Sequence, residues 1–329
     1  MGYRANMVVV ENGDWTLYDG RWVPQMFDVV AFGPDYAVRH IRAHDESDSG
    51  WTDPASADGG VLVDLDRCRM LFFGEELAAT MNERRAMLDV LPSLWPGYEV
   101  GWAYGGTDEL VDYVGGDRHW ERGRAGVKLH RVYGQSDLCH VVSVVHPEHG
   151  LRLMPLTWGY SAAWQGSSLA GRLPYKGAKQ LRRTAIPESG VHLDIENRTV
   201  GVWTTSEARG LFDLMPQLWP GWRTECWDDR YEEQVALCGG ALRVPALNPV
   251  AGLVTVRHWL HQRVFGACED KPVGAWDAHN RTRDPNAPAR DWDDYDRYIK
   301  ESPFRPTSDD WNRFADACRI QRSLYTKSA

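Results

Sequence analysis

The chain repeats itself, and that constrains its fold more than any other feature. Residues 91–116 and 215–240 align at a constant offset of 124 without a gap, and nine of the 26 positions are identical. Random pairing at average composition gives about one or two. LPSLWPGY in one copy reads MPQLWPGW in the other, and both blocks end in a Gly pair, Gly115–Gly116 and Gly239–Gly240. Upstream, GVLVDLDRCRMLFF (60–73) matches GVHLDIENRTVGVW (190–203) at an offset of 130, so the second copy is six residues shorter between the two blocks. A duplicated unit must bury the same faces twice, so the shared positions report the scaffold and the unshared ones report what was added to it.

Periodicity gives the class of that scaffold. Val61, Val63 and Leu65, like Val191, Leu193 and Ile195, alternate before a short polar turn and a second apolar stretch, which predicts a hairpin. Met87, Val90, Leu91, Leu94 and Trp95 then fall at i, i+3, i+4, i+7 and i+8, and Leu211, Leu214, Met215, Leu218 and Trp219 repeat the spacing. That is one apolar stripe per helix. Pro96 and Pro220 stop the helices, and Thr204 with Glu207 reads as a capping box at the start of the second. A weaker match, RANMVVVENGDW with CHVVSVVHPEHG, adds a strand, a Gly-containing turn and a strand to each copy. The expected class is α+β, strand-rich: two antiparallel-sheet-plus-helix halves of about five strands each, with a helical C-terminal extension. The expected boundaries are 1–116 for the first half, 117–137 for a linker, 138–240 for the second half and 241–329 for the extension.

The extension has no third copy. Asn248 and Pro249 read as an N-cap and first helical residue of a helix through about Phe265. Residues 271–288 are rich in Asp, Asn, Arg and Pro and read as an irregular loop. Thr307 with Asp310 opens a last helix whose apolar face carries Trp311, Phe314, Cys318 and Tyr325.

Charge separates the halves. Residues 1–116 hold 20 Asp and Glu against 8 Lys and Arg, a net −12 in a chain whose total is −9. Such a surface repels a phosphate backbone, so general nucleic-acid binding is not expected. No apolar run approaches the roughly 18 residues of a membrane helix, and no signal peptide is legible. Six scattered cysteines fit neither a zinc framework nor a disulfide scaffold, which points to a reduced, cytoplasmic protein.

Several residue groups carry chemistry that this background must be weighed against. His140, His146 and His149 are candidate metal ligands beside Cys139. His258 and His261, at i and i+3, can place a base beside a substrate. Ser161 in GYSAA partly matches a nucleophile elbow, but Ala163 replaces its last Gly. Asp64 and Asp66, mirrored by Asp194 and Glu196, read as turn formers rather than a catalytic pair because both copies hold them. None completes a constellation, so no catalytic residue, metal or cofactor is expected.

The segment from Pro155 to Arg183 differs most from its counterpart. It contains Trp158, Tyr160, Trp164, Arg172, Lys176, Lys179, Arg182 and Arg183 and no acidic residue. Flat apolar rings beside guanidinium and ammonium groups suit an acidic ligand. All of these except Arg183 form the expected ligand-binding set. The leading expectation is a non-enzymatic binding protein of regulatory or inhibitor type with a protein partner. The alternatives are an enzyme with a small-molecule site in the cleft between the halves, and a glycan-binding module. The sequence leaves the oligomeric state open.

Overall fold

A computed structural model describes residues 3–21, 25–78, 80–120, 139–157, 162–173, 177–265 and 306–328. The loop read over 271–288 lies outside them, as does nearly all of the 117–137 linker. The chain divides into two compact units, one of Met1–Trp102 with Asn248–Ala329 and one of Ala103–Leu247.

The first unit carries β1 (Arg4–Glu11), β2 (Asp14–Arg21), α1 (Met26–Val30), α2 (Pro34–Ile41), β3 (Gly59–Asp64), β4 (Arg69–Gly74), α3 (Glu75–Ala78), α4 (Met81–Leu94) and β5 (Glu99–Trp102). Its sheet runs β2-β1-β3-β4-β5. The second unit begins with α5 (Thr107–Val114), followed by β6 (His140–His146), β7 (Gly150–Leu156), a 3₁₀ turn (Ala162–Gln165), α6 (Ser168–Arg172) and β8 (Leu181–Arg182). It continues with β9 (Ser189–Asp194), β10 (Thr199–Thr204), α7 (Leu211–Leu218), β11 (Arg223–Cys226), α8 (Tyr231–Leu237) and β12 (Leu242–Arg243). Its main sheet reads β7-β6-β9-β10-β11, which is the first order over again.

The duplicated α+β architecture therefore stands. In detail each sheet is mixed. β1 pairs antiparallel with β2 but parallel with β3, and β4 pairs parallel with β5; β6, β7, β9, β10 and β11 repeat this pattern. A parallel pair needs a crossover, and the helices α1 and α2 supply it between β2 and β3. Their packing partners are β3 and β4 for α1 and β1 for α2.

The identities mark repeated devices. Asp64 accepts the N–H of Arg67 at 2.8 Å, and Asp194 accepts that of Asn197 at 3.0 Å. The next residue in each turn, Cys68 or Arg198, sits at positive φ, 51° and 48°. This local use of the carboxylate is the turn role expected of both aspartates. Asp66 accepts the N–H groups of Asn12 and Gly13, at 2.9 and 2.8 Å, and so fixes the β1–β2 turn. The six-residue deletion falls in the helix: α4 has 14 residues and α7 has 8. The capping box expected at Thr204 and Glu207 is therefore absent. Thr204 ends β10, its hydroxyl accepts the Ser206 N–H at 3.2 Å, and α7 begins only after Gly210.

Among the described residues the C-terminal helices are α9 (Pro249–Phe265) and α10 (Ser308–Ser328). Asn248 caps the first, with Oδ1 accepting the Ala251 N–H at 3.0 Å. Thr307 and Asp310 cap the second reciprocally: Oγ1 accepts the Asp310 N–H at 3.1 Å, and Asp310 Oδ2 accepts the Thr307 N–H at 2.9 Å. Both helices pack on α4. A Cβ at Gly252 would lie 2.1 Å from the Asn82 carbonyl, so only glycine lets α9 approach α4 this closely. No helix among the described residues is long and apolar enough to cross a membrane.

Candidate functional site

The second unit carries a small two-stranded sheet that has no counterpart among the described residues of the first. Residues Gly177 and Ala178 lie along the outer edge of β7, where Ala178 and Leu153 exchange backbone hydrogen bonds at 2.9 and 2.8 Å. Lys179 follows, exposed, and the chain enters β8, which pairs parallel with β12. Leu181 and Leu242 form one register pair and Arg182 and Arg243 the next. Side chains alternate along a strand, so the two pairs face opposite ways. Leu242 is buried with Cys139, Val141, Leu153 and Cys238, and Leu181 packs against them. Arg182 and Arg243 are thereby turned outward, side by side and exposed.

Like charges placed opposite one another in a sheet are unfavourable, by roughly 0.2–1 kcal/mol. Neither arginine, nor Lys179, has a carboxylate partner among the described residues. By contrast Arg223 and Arg230, also exposed, pair with Glu225 at 2.9 Å and Glu233 at 3.3 Å. The basic edge is thus an uncompensated feature of a chain with excess acid. A carboxylate bridging the two guanidiniums would turn that repulsion into charge-assisted hydrogen bonds.

The other expected ligand-binding residues divide three ways. Trp158, Tyr160 and Lys176 lie outside the described residues, as does Ser161. Arg172 is exposed and donates to Gln165 Oε1. Trp164 is only 5% exposed and belongs to the core cluster with Leu169, Met215 and Trp219, so its ring is not a free stacking surface. The reason is its place in the repeat: Ala163 supplies the carbonyl that receives the Trp219 indole N–H at 3.1 Å, just as Val30 receives that of Trp95.

The candidate histidines also separate. His140 is buried, with Nδ1 2.7 Å from Ser189 Oγ and Nε2 3.6 Å from Glu188. His146 and His149 come together at the β6–β7 turn, their rings stacked with centroids 4.7 Å apart. His258 and His261 are exposed on α9, where His261 lies against Phe265 and Trp311 at 5.3 and 5.1 Å.

One polar group escaped the sequence reading because it is internal. Ser143 on β6 and His192 on β9 are register partners, with Oγ and Nδ1 2.8 Å apart. Gln234 on α8 donates to Ser143 Oγ at 2.9 Å and to the carbonyls of Val141 and Val191, and its Oε1 accepts the Trp203 indole N–H at 2.7 Å. Burial lowers the His192 pKa, against the opposing pull of Asp194 and Glu225. The repeat places Val8, Leu62, Leu110 and Phe73 at these four positions, all with no exposure. The second copy has exchanged an apolar set for a bonded polar one. With Ser143 wholly buried and His192 6% exposed, the group sits inside the fold and presents no nucleophile to a ligand.

No family model, curated protein or solved structure matches this chain. Its site must therefore be argued from its own residues. Arg243 was missed because β12 is two residues long, yet its Leu-Arg pair copies the Leu-Arg of β8, and that echo was the available signal.

Proposed function

We propose that this chain is a cytoplasmic, non-enzymatic binding protein of regulatory or inhibitor type whose second half recognises an acidic segment of a partner protein. The observation that carries the reading is the Arg182–Arg243 pair, exposed and without a carboxylate among the described residues. Guanidinium forks suit bidentate capture of carboxylates, and Lys179 extends the positive edge. The cytoplasmic assignment draws on the cysteines: among the described residues, Cys68, Cys226, Cys238 and Cys318 carry thiols outside any disulfide. A hydroxyl and an imidazole in contact would favour the enzyme alternative, and the pairs of this kind among the described residues, Ser143 with His192 and Ser189 with His140, are both buried.

The test is fluorescence anisotropy of a labelled ten-residue Asp/Glu peptide titrated with the intact chain at low salt. Binding is expected to weaken at least tenfold in the R182E/R243E variant, with the circular dichroism spectrum unchanged because both positions are exposed. Equal binding by both proteins would remove the basic edge from the account.

A further inference from the structure

The two β-hairpins at corresponding places in the repeat turn differently. In the first, Asn12 and Gly13 form a two-residue turn, both at positive φ, 56° and 84°. In the second, three residues, Pro147, Glu148 and His149, separate His146 from its register partner Gly150, which takes the left-handed conformation at φ 64°. The added residue changes what the turn presents. His146, Glu148 and His149 each offer a ligand atom, and these atoms lie within 4.8 Å of one another. The rings of His146 and His149 are nearly parallel, 22° apart, and Glu148 Oε2 lies 4.0 Å from His149 Nε2.

We infer that this turn is a binding site for one divalent transition-metal ion of the zinc class, held by His146, Glu148 and His149. Two imidazoles and a carboxylate are a donor set that zinc takes with its fourth position left open. Imidazole nitrogen selects Zn²⁺, Co²⁺ or Ni²⁺ over Mg²⁺ and Ca²⁺, which want oxygen. Metal–ligand bonds of about 2.0–2.2 Å need donor atoms roughly 3.3 Å apart. The three side chains therefore close by rotation about their own χ angles; Glu148 and His149 are exposed and His146 is partly so.

A backbone hydrogen bond of the turn opposes ligation. His146 Nδ1 accepts the Glu148 backbone N–H at 3.1 Å. A metal on Nδ1 displaces that bond, and a metal on Nε2 moves the ring proton to Nδ1 and loses it as well. Giving up one exposed hydrogen bond weakens the site by roughly five- to tenfold. Binding is expected to be weaker than at a preformed structural zinc site. His140, which the sequence groups with His146 and His149, takes no part, because its ring is buried against Ser189.

The first copy is an internal control, since Glu11, Asn12 and Gly13 occupy the matching turn. Titration calorimetry of the intact chain with Zn²⁺, repeated with Co²⁺ to read the visible d–d bands, tests the site. The result expected is one ion bound per chain, weakened at least tenfold in H146A and in H149A and lost in H146A/H149A, with E148Q intermediate. Unchanged stoichiometry and affinity in H146A/H149A would overturn the inference, as would no binding by the unaltered protein at 1 mM Zn²⁺.

Discussion

The indole N–H of Trp219 donates to the carbonyl of Ala163 at 3.1 Å, and Trp95 makes the same bond to Val30 at 2.8 Å. Each Trp ends a helix, is fully buried, and packs edge-on against the aromatic ring three residues on, Tyr98 or Trp222, with centroids 5.2 Å apart. The LWPG stretch shared by the two copies thus fastens the end of each helix to the start of the crossover. W219F keeps an aromatic ring, though a smaller one, and leaves a buried carbonyl without its donor, which is expected to cost about 1–3 kcal/mol. W219A adds a cavity and is expected to cost about 3–5 kcal/mol. Urea unfolding of these variants and of W95F and W95A checks both, and the two copies should respond alike.

The polar group around Ser143 behaves as a unit. H192L alone takes one partner from the Ser143 hydroxyl, which keeps its bond from Gln234, and is expected to destabilise the second unit by about 0.5–1.5 kcal/mol. The fourfold variant S143V/H192L/W203F/Q234L installs the residues of the first copy, and should recover most of that loss, because a fully apolar set leaves no polar atom unpaired. Denaturant midpoints of the two variants decide whether the group is coupled.

Two buried histidines make stability fall with acid. Burial, with a smaller contribution from His44, lowers the His40 pKa to about 3, and burial lowers that of His192. The unfolded chain therefore takes up these protons first as pH drops below the ordinary histidine value of about 6.5. Stability is full above that pH and declines below it, by up to about 1.4 kcal/mol per pH unit per group until the folded pKa is reached. Unfolding at pH 7.5, 6 and 5 should show the decline, and H40F should reduce its slope.

Glu76 acts with the opposite sign. Burial raises its pKa to about 7, even though the Tyr3 hydroxyl and the Phe27 N–H, at 2.8 and 3.2 Å, favour the charged form. The folded state holds this proton after the unfolded chain has released it, so its contribution is present at low pH and is lost as pH rises from the ordinary carboxylate range to about 7. E76Q should flatten the stability profile over that window, measured by thermal denaturation at pH 4.5 through 8.

What was legible in the sequence is what the repeat enforces. The Leu211, Leu214, Met215, Leu218 spacing shows one helix face, and the Asn248–Pro249 and Thr307–Asp310 pairs mark helix starts, because these are local signals. The parallel pairing of β1 with β3 was not legible: a run such as MVVVE buries both faces in either direction, and only the crossover decides. The burial of Trp164 was not legible, because its counterpart in the repeat, Ala31, is too small to reveal a buried position. Arg182 was found from composition, but its partner Arg243 lies 61 positions along the chain, and only the β8–β12 pairing brings them together.

The central claim is that Arg182 and Arg243 form an acid-binding edge, and a matched-charge comparison tests it most directly. R182E/R243E and R223E/R230E change net charge equally, but the second pair already have carboxylate neighbours in Glu225 and Glu233. Anisotropy titrations with the acidic peptide, stepped from 25 to 200 mM salt, should show binding lost in R182E/R243E and largely kept in R223E/R230E. Equal losses in the two variants would mean that net charge alone governs the interaction, which would contradict the account.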